Sequence, residues 1–232
     1  MKPAVLFDLG NTLVAYYHSD QFQPILKAAI VGLSSELERR GLSQVSFDDA
    51  FASAIAENKE AADFRFTPIA QRFERIFQIS LAEEAVLADE LCEIFLRPIF
   101  SIGRVYEDSL PVLRNLRAAG YPVAIVSNAP WGSPPQLWRE ELQRLGLSQA
   151  VEKVVLCGDV GWRKPAMAIF EFAASALDRA LGDCIFVGDD LRWDIAGSKA
   201  AGTRPVLVDR DQRNRQHSGD RIENLYELLG II

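Results

Sequence analysis

Cysteine is scarce in this chain, histidine scarcer still, and no long apolar run is present. The three cysteines, Cys92, Cys157 and Cys184, are widely spaced, and none forms a CxxC pair. That excludes a disulfide framework and a thiolate zinc or redox motif, and leaves them as buried free thiols of a reducing compartment. No apolar segment reaches the length needed to span a bilayer as a helix. The first apolar run follows Lys2 but is broken by Asp8, too early for a signal peptide. Positive charge is also in deficit, with 25 Lys and Arg against 32 Asp and Glu and a formal charge of -7. Phosphate backbones demand basic surfaces, so nucleic acid is not an expected partner. A cytoplasmic protein is expected. What is present is ordinary: 232 residues, 49% hydrophobic and 25% charged. This suffices for one good core, alone or with a smaller accessory domain.

One stretch organises the rest. Ala4-Val5-Leu6-Phe7 is continuously apolar and ends in Asp8, followed by Leu9-Gly10-Asn11-Thr12-Leu13. An unbroken apolar run reads as a strand buried on both faces of a parallel sheet. Gly10-Asn11 tolerates positive φ, so the chain can turn where the strand ends. Asp8 then sits at a strand's carboxyl end, where open α/β sheets hold their ligands. A loop-capping Asp and a catalytic one are equally compatible with this stretch alone.

From about Val14 to Phe100 the pattern is helical. Apolar residues recur near a 3.6 period across Pro24–Arg40, and Gly41 stops the run. Ser46 reads as an N-cap, with Asp49 in the acidic first turn. Further helices are expected over Ala50–Asp63, Pro68–Ile79 and Leu81–Phe95, making a small bundle. Phe64, Arg65, Phe66, Arg72, Phe73, Arg75 and Phe77 are read as bundle core for the aromatics and surface for the arginines.

Beyond Gly103 strands and helices alternate. Strands are expected at Pro122–Val126, Val151–Leu156, Cys184–Val187 and Pro205–Val208. Helices are expected at Asp108–Ala119, Gln136–Leu145, Ala166–Leu177, Ile195–Ala201 and Ile222–Leu229. This alternation gives right-handed βαβ units, hence an α/β fold with a parallel five-stranded sheet and helices on both faces. Asp8, Ser127-Asn128 and Asp189-Asp190 should meet at one sheet edge, with Lys164 in the loop Gly161-Trp162-Arg163-Lys164-Pro165. Carboxylates gathered there repel unless a cation separates them, and hard oxygen ligands suit Mg²⁺. A hydroxyl, an amide and an ammonium are donors suited to phosphoryl oxygens, and a carboxylate can attack phosphorus.

These segments resemble the four motifs of the haloacid dehalogenase (HAD) superfamily of hydrolases. Asp8 to Leu13 is similar to the first, DxDx[TV]; Ile125 to Asn128 to the second; Gly161 to Pro165 to the third; and Gly188-Asp189 through Asp194 to the fourth, GDxxxxD. The resemblance implies a Rossmann-like core of residues 1–15 and 101–232, with an inserted all-helical cap domain at 16–100. It implies Asp8 as nucleophile and Mg²⁺ ligand, the Gly10 carbonyl and Asp189 as further ligands, and Ser127 and Lys164 on the phosphoryl oxygens. Asp194 would order the metal's waters or anchor Lys164. Thr12 and Asn128 would support phosphate binding or merely cap turns, and Asp190 would support the ligands from behind. Trp162, Arg163, Arg192 and Trp193 are read as loop packing near the mouth.

One departure stands out. Phosphatases of this family usually carry an acid two residues after the nucleophile, and here that residue is Gly10. General acid–base help contributes roughly two to four powers of ten in rate. The implied function is a Mg²⁺-dependent phosphatase of small phosphorylated metabolites, acting through an aspartyl-phosphate, as a monomer or homodimer. The alternatives are a dehalogenase or phosphonatase chemistry, or a weakly catalytic phosphate-binding module. A dehalogenase would forgo the fourth-motif acids kept here. A phosphonatase would want a cap lysine of low pKa, and nothing around Lys27 or Lys59 suggests one. His18, then Glu57 and Asp63, are candidates for the missing acid.

Overall fold

The computed structural model describes residues 2–59 and 61–232. In chain order the strands are β1 (Ala4–Phe7), β2 (Val14–Ala15), β3 (Arg104–Val105), β4 (Val123–Ser127), β5 (Lys153–Leu156), β6 (Cys184–Gly188), β7 (Arg204–Val208) and β8 (Arg221–Ile222). The helices are α1 (Phe22–Arg39), α2 (Phe47–Glu57), α3 (Ile69–Phe77), α4 (Ala85–Ile102), α5 (Ser109–Ala118), α6 (Pro135–Arg144), α7 (Cys157–Val160), α8 (Met167–Ser175) and α9 (Gly197–Ala201).

The main sheet is wholly parallel, in the order β5-β4-β1-β6-β7-β8. Its centre is β1, every residue of which is buried, as expected of a strand covered on both faces. Phe7 pairs with Ile125 on one side and Val187 on the other. The chain winds outward from β1 in both directions, so β1 lies at the topological switch point where open α/β sheets leave a crevice beyond their strand ends. α8 packs on β4 and β5, α5 on β4, and α9 on β7.

The sheet has six strands where five were expected. Arg221–Ile222 pairs with Leu207–Val208, and a 3-10 turn follows over Leu225–Gly230 where a helix over Ile222–Leu229 was expected. Ile222, Leu225 and Leu228 are all buried. Their three-residue spacing mimics a helix, and a two-residue strand is too short to show a period of its own.

The segment between β2 and β3 forms four helices in which α1 packs against α2 and α4, and α3 against α2 and α4. Its two ends meet in an antiparallel ribbon, Val14 opposite Val105 and Ala15 opposite Arg104. Ser46 caps α2, its side chain accepting from the Asp49 amide at 3.2 Å. α4 runs through Pro98 to Ile102 rather than ending near Phe95. Phe95, Leu96 and Ile99 are buried, and that burial offsets the roughly 3 kcal/mol cost of an interior proline.

The expected helix over Ala50–Asp63 ends at Glu57; Glu60 lies outside the described residues. Tertiary contacts end it. The Asn58 side chain accepts from Trp131 Nε1 at 2.9 Å, and Arg72 donates to the carbonyls of Glu57 and Lys59. The chain then crosses to the α/β part, where the Phe66 amide donates to Gly161 and the Arg163 amide to Phe64, each at 2.9 Å. Gly132 marks another close approach: it sits at φ +77, and a Cβ there would fall 1.8 Å from the Thr67 carbonyl oxygen. Cys92, Cys157 and Cys184 are buried free thiols. Among the described residues no helix is long and apolar enough to cross a membrane.

Candidate active site

Asp8 stands one residue beyond β1, its amide bonded to the Val187 carbonyl at 2.9 Å. The chain then turns at Asn11, which takes φ 55. Asp189 follows β6 and Ser127 ends β4. Three adjacent parallel strands thus deliver these side chains to one crevice.

Lys164 joins them from the loop before α8. It is 2% exposed and is held at both ends of its side chain. The Asn128 amide oxygen accepts from the Lys164 N–H at 2.8 Å, and the Asn128 amide nitrogen donates to the Lys164 carbonyl at 3.1 Å. Lys164 Nζ donates to Asp8 Oδ1 at 2.5 Å and to Asp194 Oδ1 at 2.7 Å. Burial alone would lower the Lys164 pKa, but Asp194 and Asp8 outweigh it and hold the ammonium above its usual value. Asp194, in the π-helical turn Leu191–Ala196, also accepts from the Asp190 amide through Oδ2 at 3.1 Å. Gly188 leaves room for it, since a Cβ there would lie 2.4 Å from Asp194 Oδ2. Asp190 caps that turn, accepting from the amides of Arg192 and Trp193 at 2.8 and 2.7 Å.

Carboxylate oxygens of Asp8, Asp189 and Asp194 lie within 4.8 Å of one another. One buried ammonium cannot balance three carboxylates. Burial first, then the charges of Asp8 and Asp194, push Asp189 up to about 8. A divalent cation with hard oxygen ligands would relieve that repulsion, so the residues fit a Mg²⁺ ion. Among the described residues Asp194 engages both carboxylate oxygens, Oδ1 with Lys164 and Oδ2 with the Asp190 amide, whereas Asp8 engages only Oδ1 with Lys164, so Asp8 and Asp189 are the side chains that could hold such an ion.

The crevice opens into a cavity of about 500 Å³ lined by Asp8, Gly10, Ser127, Asn128, Lys164, Asp189, Asp190 and Asp194 from the α/β part. Thr12 stands apart: its hydroxyl is buried without a partner among the described residues, and its carbonyl accepts from Arg210. None of His18, Glu57 and Asp63 lines the cavity. His18 approaches Asp211 at 3.5 Å, Glu57 pairs with Arg75, and Asp63 with Arg65. Gly10 has open space beside it, a Cβ there finding nothing nearer than Tyr16 Cδ2 at 3.9 Å.

Residues that sequence patterning did not single out also line the cavity, among them Tyr16, Tyr17, Phe22, Asn58, Trp131 and Trp138. Aromatics scattered this widely along a chain carry no common period, so no sequence signal links them. Arg72 corrects an expectation. It was assigned to the bundle surface, yet it is buried and lines the cavity, because its guanidinium closes the end of α2 beneath Trp131, 5.4 Å from the ring. Phe73 and Phe77 are core, as expected. Of the four mouth residues, Arg163 and Trp193 line the cavity. Trp162 packs under Arg65 and Arg192 over Phe64.

The motif arrangement has counterparts elsewhere. A family model described as haloacid dehalogenase-like hydrolase matches residues 2–202. Ribulose-1,5-bisphosphate 5-phosphatase of Halopiger xanaduensis is 28% identical over 95% of this chain and 91% of its own. Glyceraldehyde 3-phosphate phosphatase of Methanopyrus kandleri is 28% identical over 100% of this chain and 97% of its own. The crystal structure of a HAD phosphatase from Thermococcus onnurineus superposes with a TM-score of 0.69 at 28% identity, covering 100% of this chain and 97% of that one. With the strand that ends at Asp8, the loop that carries Lys164 and the strand that ends at Asp189 in the expected order, the chain belongs to the haloacid dehalogenase-like hydrolases.

Proposed function

We propose that the protein is a Mg²⁺-dependent phosphatase of small phosphorylated metabolites that works through an aspartyl-phosphate. The observation that carries this reading is Asp8 at the head of the cavity, bonded to a buried Lys164 that Asp194 anchors. Asp8 Oδ attacks phosphorus, the bond to the leaving oxygen breaks, and an acyl phosphate remains on Asp8. Water then attacks that phosphorus, phosphate departs and the carboxylate is restored. Lys164 and Ser127 hold the phosphoryl oxygens, and Lys164 offsets charge on Asp8 as the substrate approaches. Asp8, the Gly10 carbonyl and Asp189 would hold Mg²⁺, with Asp190 and Asp194 supporting them. When bound, the ion supplies charge neutralisation to the phosphoryl group. Residues 16–100 serve as a cap over the core of residues 1–15 and 101–232, excluding water and choosing the substrate.

Phosphatase names among relatives that cover nearly the whole chain favour this reading over the dehalogenase and phosphonatase alternatives. Phosphate release from p-nitrophenyl phosphate, an activated ester that needs little leaving-group protonation, tests it. Turnover with Mg²⁺, none with EDTA and none in a folded Asp8→Asn variant are expected. Activity persisting in Asp8→Asn would refute the mechanism.

A further inference from the structure

The strand-end acids and Lys164 account for a single phosphoryl group, yet the cavity holds three more cations: Lys59, Arg72 and Arg163. Arg72 is the most constrained. It is 7% exposed, and among the described residues no carboxylate pairs with it. Glu57 is taken by Arg75 in a two-pronged contact at 2.7 and 3.0 Å. Arg72 Nη1 and Nη2 donate to the carbonyls of Glu57 and Lys59, while its buried Nε has no partner. Two of five guanidinium N–H groups are thus engaged, which leaves donors to spare. Burial, and then the nearby positive charges of Arg163 and Arg75, disfavour its charged form, with Glu57 opposing. A buried cation without a counter-ion is costly, and costlier with like charge beside it. Closing the end of α2 explains its two bonds to backbone but not why a buried guanidinium with an unpartnered Nε lines the cavity. Tyr17, Phe22 and Trp131 line the same space, and a charge pair made against such apolar walls is stronger than one in open water.

We propose that the substrate carries a second anionic group, a phosphate or a carboxylate on the same small molecule, bound by Arg72, Lys59 and Arg163 while Asp8 attacks the first. This rests on the phosphatase reading above and narrows it. A substrate bearing one phosphate leaves the Arg72 guanidinium without a carboxylate or phosphate partner among the described residues, and a two-anion substrate supplies one, so the cavity discriminates by charge at its far group.

The test compares propyl phosphate, the phosphate ester of 3-hydroxypropanoate, and the bisphosphates of propane-1,3-diol and pentane-1,5-diol, each with Mg²⁺. At least one two-anion ester is expected to exceed propyl phosphate in kcat/KM by about a hundredfold, since a charge-assisted hydrogen bond contributes about tenfold or more. The better of the carboxylate and bisphosphate arms identifies the second group. Arg72→Met is expected to shrink that ratio by about tenfold or more, and Lys59→Gln by less. Should Arg72→Met fail to fold, Lys59→Gln carries the same comparison, because Lys59 is exposed. A wild-type ratio near one, or variants that slow all esters by one common factor, would overturn the proposal. Calorimetric titration of Asp8→Asn with propane-1,3-diol bisphosphate and with propyl phosphate decides it without turnover. Tighter binding of the bisphosphate supports the second-anion site even if no ester is hydrolysed, an outcome that would sink the phosphatase reading alone. Equal binding of the two overturns the site.

Discussion

The two sides of the cavity are built on different physical terms. The strand-end side is rigid and overdetermined. Asp8, Lys164 and Asp194 are each at most 7% exposed and each is hydrogen-bonded, Asp8 and Asp194 following buried strands and Lys164 standing in the loop before α8. The helical side delivers Asn58 and Lys59 from the irregular stretch after α2, and Arg72 from a short helix, with Trp131 of the other side bonded to Asn58 and 5.4 Å from the Arg72 guanidinium. Tightly bonded groups thus sit on the scaffold and the opposite wall on connecting segments, a division common where function is grafted onto α/β sheets.

Breaking the rigid side should have the largest effect. Lys164→Ala leaves Asp8 and Asp194 buried without their cation, and chemical denaturation should register a loss of about 3–5 kcal/mol. The same change at an exposed pair such as Arg65 with Asp63 should cost under about 1 kcal/mol.

Gly10→Asp sharpens the comparison by adding the acid this side lacks. The space beside Gly10 accepts a side chain, and its φ lies outside the left-handed region. Hydrolysis of alkyl phosphates should rise by about a hundredfold relative to p-nitrophenyl phosphate, the lower end of what general acid catalysis contributes. A uniform change across both ester types would show that leaving-group protonation is not what limits this enzyme.

Metal addition is the next smaller perturbation. At a hundredfold excess over its dissociation constant, Mg²⁺ should stabilise the fold by about 2.7 kcal/mol, read as a rise in Tm, and Asp189→Asn should abolish most of that rise. Asp189 is raised to about 8, so the metal-free protein binds more protons folded than unfolded. Its stability should therefore fall as the pH rises from the usual carboxylate range towards 8, and Mg²⁺ should reverse the trend. A metal-free profile that is flat over this interval would count against the repulsion argument.

The smallest effect belongs to the helical side. Ser46→Ala removes the α2 cap and should cost about 1 kcal/mol while leaving the strand-end geometry untouched. A change in kcat for p-nitrophenyl phosphate in that variant would mean that helical packing reaches Asp8.

The sequence alone determined the α/β class, the parallel sheet and the residues gathered at its carboxyl edge. Buried strands write themselves as unbroken apolar runs, and the side chains just beyond them are set by strand order alone. Asp8, Ser127, Asp189 and Asp190 were legible for that reason, and Lys164 and Asp194 through the resemblance of their segments to known motifs. The sixth strand was not, because two residues cannot show a period and Ile222, Leu225 and Leu228 fall on a helical one. Nor was the early end of α2, where the local pattern favoured continuing and Arg72 and Trp131 stopped it from a distance. Arg72 itself read as a surface residue because an arginine's burial depends on what lies across from it. Thr12 read as either a supporting position or a turn residue, and past the turn at Asn11 it is buried and does not line the cavity. Tertiary structure decided the cavity's far wall, where residues distant in the chain meet only because two packed layers face each other.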